Sequence, residues 1–77
     1  MNKPLLTFEM NESDECLEIH GDVDGLSALI ACIQKTIADK DHQHLMTEAW
    51  GGSELSSEQQ GANNKLVNHV RISEWSE

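Results

Sequence analysis

Two short stretches of alternating apolar and polar residues open the chain. Leu5–Met10 places Leu6, Phe8 and Met10 on one face, and Glu15–His20 turns Leu17 and Ile19 inward with Cys16, Glu18 and His20 outward. A period of two is the signature of a half-buried strand. The polar run Asn11-Glu12-Ser13-Asp14 between them predicts a hairpin. After Gly21 the period changes. Leu26, Ile30, Ile33 and Ile37, with Leu29 beside them, define one apolar helical face, while Ser27, Gln34 and Lys35 lie off it. Asp22 is placed to cap this helix, and Asp24 sits in the first turn, where the helix dipole favours negative charge. The helix is expected to end at Ala38 or Asp39.

His42–Thr47 reads as a third strand, and Lys65–Trp75 as a fourth. The last strand sets Leu66, Val70 and Ile72 against Val67, His69, Arg71 and Trp75. Between the two lies the polar segment 48–64, EAWGGSELSSEQQGANN. It is long for a loop in so small a domain, although Leu55–Gln60 has room for one helical turn. The order ββαββ predicts an α+β fold: one domain, residues 1–77, with a four-stranded antiparallel or mixed sheet and one helix packed on one face. One helix covers one side of such a sheet. The other side, carrying Cys16, Glu18, His20, His69 and Arg71, is left as a docking surface.

Composition narrows the function. Aromatic residues make up only 4% of the 77 positions, namely Phe8, Trp50 and Trp75, so the core rests on Leu, Ile, Val and Met. A domain of this size keeps about 3–5 kcal/mol of net stability, which leaves little to support a strained catalytic cleft. The net charge is −9, and Glu9, Glu12, Asp14, Glu15, Glu18, Asp22 and Asp24 follow one another with no Lys or Arg among them. That exterior repels nucleic acid and anionic lipid. It suits a basic protein partner, whose approach it would steer; equally, charge of this kind serves solubility. Cys16 and Cys32 fit no metal or disulfide spacing and are expected to be reduced thiols of a cytoplasmic protein. No apolar run reaches the ~18 residues of a membrane span.

Few constellations carry chemistry. His42 and His44 share a strand face, and His20 and His69 could approach from neighbouring strands; zinc would need such ligands to converge tetrahedrally. Sheet histidines without metal are the simpler reading, so no metal and no cofactor is expected. Cys16 beside His20 is the one candidate thiolate pair, but its acidic surroundings disfavour the nucleophilic form. Gly51-Gly52 lacks the lysine of a phosphate loop and is flanked by Glu48 and Glu54. No catalytic residue emerges. Trp50 has two readings, a plug for the small core or an exposed anchor of the type enriched at binding hot spots. Trp75 is expected to pack.

The stretch from His44 through Trp50-Gly51-Gly52-Ser53-Glu54-Leu55, then Gln60-Gly61 and Leu66–Ile72, resembles the immunity protein 32 family of bacterial polymorphic toxin systems. Asp14–Gly21 and the helix opening at Gly25-Leu26 are similar too. The resemblance implies an α+β protein that is not an enzyme and that binds and neutralises a cognate toxin; a basic nuclease is a toxin class that a −9 partner suits. The residues expected to meet the toxin are Glu48, Trp50, Gly51, Gly52, Glu54 and Glu58 in the loop, with Glu18 and His69 on the sheet. The competing readings are a regulatory module, homodimeric through the exposed sheet face, and a metal-binding protein built on the four histidines.

Overall fold

The expected hairpin forms between β1 (Leu6–Asn11) and β2 (Cys16–Gly21), antiparallel, with Phe8 opposite Ile19 and Glu9 opposite Glu18. Helix α1 (Val23–Asp39) follows, and Asp22 caps it by accepting the Gly25 backbone N–H at 2.7 Å. Strand β3 (His42–Met46) leads into a short 3-10 turn, Glu48–Trp50. The computed structural model describes residues 3–76.

The sheet departs from expectation. Lys65–Trp75 is two strands: β4 (Lys65–Leu66) pairs with β1, and β5 (His69–Ser73) pairs with β3. The molecule therefore has two small antiparallel sheets, β2-β1-β4 and β3-β5, in place of one four-stranded sheet. Hydrogen bonds at the break explain the change of sheet. The Val67 N–H still donates to Phe8 O at 2.8 Å, whereas Asn68 O accepts the Thr47 N–H and Asn68 Oδ1 accepts the Thr47 hydroxyl at 2.7 Å. One ribbon is thus pinned to both sheets. No helical turn forms at Leu55–Gln60.

The core consists of Leu6, Phe8, Leu45 and Leu55, with Leu29, Cys32, Val67, Val70 and Ile72 packed around it. The helix contributes a different face from the one its sequence advertises. Gly25, Leu29, Cys32 and Thr36 point inward, while Leu26, Ile30, Ile33 and Ile37 are exposed. Close approach is the reason: a Cβ at Gly25 would lie 1.7 Å from Leu5 O, so only the small-residue face can come this near the start of β1. Leu17 and Ile19, expected inward, are also half exposed, and Trp75 is 88% exposed instead of packed.

Candidate binding surface

The outer face of the β3-β5 sheet gathers three of the four histidine rings. Its register sets His44 opposite Arg71 and Met46 opposite His69, so His44 and His69 are diagonal neighbours on one face. His44 Nδ1 and His69 Nε2 lie 2.7 Å apart, within hydrogen-bonding distance. His42 stands edge-on to His44, with ring centroids 4.9 Å apart. Burial pushes the His44 ring below its ordinary pKa, and the positive charge available on His42, His69 and Arg71 lowers it further.

Trp50 joins this row from the loop. Its ring centroid lies 5.7 Å from that of His69, tilted by 34°, and the residue is 59% exposed. The backbone holds it there. The 3-10 turn ends at Gly51, whose φ of 85° is a left-handed conformation open to glycine, and the Gly51 N–H donates to Glu48 O. Gly52 then folds back on β3, so close that a Cβ would sit 2.5 Å from Met46 O. Glu54 Oε1 accepts the Met46 N–H at 3.0 Å. Glu48 pairs with Lys3 at 2.7 Å, a contact that holds its carboxyl below the usual range, and both side chains stay exposed. Beyond them, an open groove of about 990 Å³ runs between residues 3–6, α1 and the loop at Ser53–Glu58, with Glu58 on its border.

Glu48, Trp50, Gly51, Gly52, Glu54 and His69 therefore converge at the end of β3. Glu18 does not; it belongs to the other sheet, where sequence reasoning missed the central group. The face expected to be free carries the Glu9 carboxylate, fully buried under residues 60–64. Its oxygens accept the Thr7 hydroxyl, the Gln60 and Gly61 N–H groups and the Asn64 amide at 2.6–2.9 Å. Burial alone would raise the Glu9 pKa; these donors outweigh it and hold the value at about 2. Asn64 also donates to Glu18, which takes a hydrogen bond with His20 at 2.8 Å.

Glu9, Glu18 and His20 could in principle ligate a cation, since one ligand atom from each lies within 4.8 Å of the others. Both Glu9 oxygens, however, already accept two donors each, so a metal would have to evict Asn64 and backbone N–H groups. The chemistry is that of a hydrogen-bonded staple. The four-histidine arrangement does not assemble either, because His20 belongs to this cluster and His42, His44 and His69 to the other sheet. Cys16 and Cys32 are free thiols.

The family model described as immunity protein 32 matches residues 17–70, most of the chain. The chain belongs to the immunity protein 32 family. No curated protein and no solved structure gives a significant match. As an immunity protein 32 member, the chain has a cognate toxin as its implied partner, and the family suggests a role without catalysis. The matched segment runs from β2 into β5 and so includes the helix, the Trp50 turn and Asn64. Among the described residues no helix is long and apolar enough to cross a membrane.

Proposed function

We propose that this immunity protein neutralises its toxin in the cytoplasm of the producing cell by docking through the Trp50–His69 row and the carboxylates beside it. The observation that carries the reading is Trp50, a large ring held in solvent by a rigid turn when an aromatic-poor core had every energetic reason to bury it. Trp is among the residues most often dominant in interface energetics. Glu48, paired with Lys3, and Glu54 and Glu58 farther along the same loop carry carboxylates, and the chain's −9 favours a basic toxin, a nuclease being the class that fits. The same charge argues against nucleic acid and anionic membrane as partners.

Co-expression with the product of the adjacent toxin gene tests the reading. The wild-type chain should restore growth and bind the toxin at nanomolar affinity or tighter. W50A should fold normally and bind far more weakly. Failure of the wild type to restore growth would end the proposal.

A further inference from the structure

We propose that the exposed face of α1 is the seam of a two-fold homodimer, an association that goes beyond toxin binding and uses a different surface. Val23, Leu26, Ile30, Ile33 and Ile37 follow one another in alternating three- and four-residue steps, the spacing of a coiled-coil seam. All five are exposed, as are Leu17 and Ile19 on β2, beside which the helix packs. At 40–80% exposure these seven side chains present an apolar area on the order of 700 Å², against about 800 Å² per partner in a standard interface. Scattered apolar residues on a surface need no explanation, but a contiguous patch of this size does.

Charge selects the occupant. In a chain of net charge −9, residues 25–38 of the helix carry a single ionic side chain, Lys35, whose charge is met by Asp39 at 2.9 Å. A basic toxin finds nothing there to attract it. A second copy finds there an apolar stretch that does not repel it. Both helix ends carry carboxylates, Asp22 and Asp24 at the N-terminus and Asp39 and Asp41 on either side of Lys40 at the C-terminus, so the helix dipoles decide the arrangement. A two-fold axis near the middle of α1 makes the pair antiparallel and opposes the two helix dipoles. A parallel pair would align the two dipoles side by side. Ser27, Ala31, Gln34 and Ala38 flank the seam with small or neutral side chains.

Sedimentation velocity of the full chain from micromolar to millimolar concentration reads the outcome, with no toxin present. The expected mass is twice the 8.6 kDa of one copy. I30E and I33E replace exposed side chains and so should leave the circular dichroism spectrum and melting profile intact, while weakening self-association about 100-fold or more. W50A should dimerise like the wild type. Raised salt, which screens repulsion between two acidic copies, should maintain or strengthen the dimer. A wild-type chain that stays monomeric throughout overturns the proposal, and so does a dimer that survives I30E and I33E together. Loss of toxin binding in W50A with the dimer intact bears on the toxin reading alone, so the two ideas fail separately.

Discussion

Asn64 donates its side-chain amide to the Glu9 carboxylate, joining residues 55 positions apart at 2.9 Å across a sheet face that carries no helix. The contact converts a long polar segment into a lid. Because Glu9 is fully buried and accepts four donors, its loss leaves those donors unpaired.

Acid sensitivity follows from the sign of the shift. The folded carboxyl titrates at about 2 and the unfolded one at the ordinary 4.5. The stabilisation is therefore complete above 4.5 and disappears as pH falls from there toward about 2. Urea midpoints measured from neutral pH downward should drop through this window. E9Q should lose that segment of the pH dependence and cost on the order of 2–3 kcal/mol at neutral pH.

Gly25→Ala should destabilise the fold. Alanine is the better helix former by about 1 kcal/mol, but its Cβ would meet Leu5 O at 1.7 Å, so α1 or the start of β1 must move. Overpacking of this kind costs about 1–3 kcal/mol or more, and the clash exceeds the gain. A melting temperature several degrees lower, read by circular dichroism, is the expected result.

Toxin affinity should fall by more than 30-fold in W50A, the effect of removing a hot spot worth about 2 kcal/mol or more. The association rate should fall as salt rises, in contrast to the homodimer, since steering by exposed carboxylates is screened within about 10 Å at 0.1 M. Stopped-flow mixing at two ionic strengths checks both.

Titration of the imidazole protons by NMR should place His44 below its ordinary value of 6.5. H69A removes one of the neighbouring rings that disfavour the cation and should move His44 back upward.

Periodicity made the hairpin and the helix legible, including the Asp22 cap, because each depends on neighbours a few residues away. It misjudged which helical face turns inward. Hydrophobicity pointed to the isoleucine stripe, yet the fit of Gly25 against Leu5 O, a contact twenty residues distant, decided the matter. The splitting of Lys65–Trp75 was hidden for a similar reason. Asn68 looks like an ordinary strand residue until Thr47 arrives to take both its acceptors. Within the loop, the sequence left open whether Trp50 plugs the core or stands exposed, and Glu9 as a buried acceptor was not readable at all, since three of its four donors come from 51 to 55 residues away.

The long segment is moored largely through main-chain atoms: Gly52 to Thr47, Leu55 to Met46, Ser56 to Leu6, and Gln60 and Gly61 to Glu9. Peptide groups are the same whatever side chain they carry. Positions such as Ser53, Ser57 and Glu58, exposed between those moorings, are thus open to replacement without loosening the frame, which gives a lineage of such proteins room to follow a changing adversary at little structural risk.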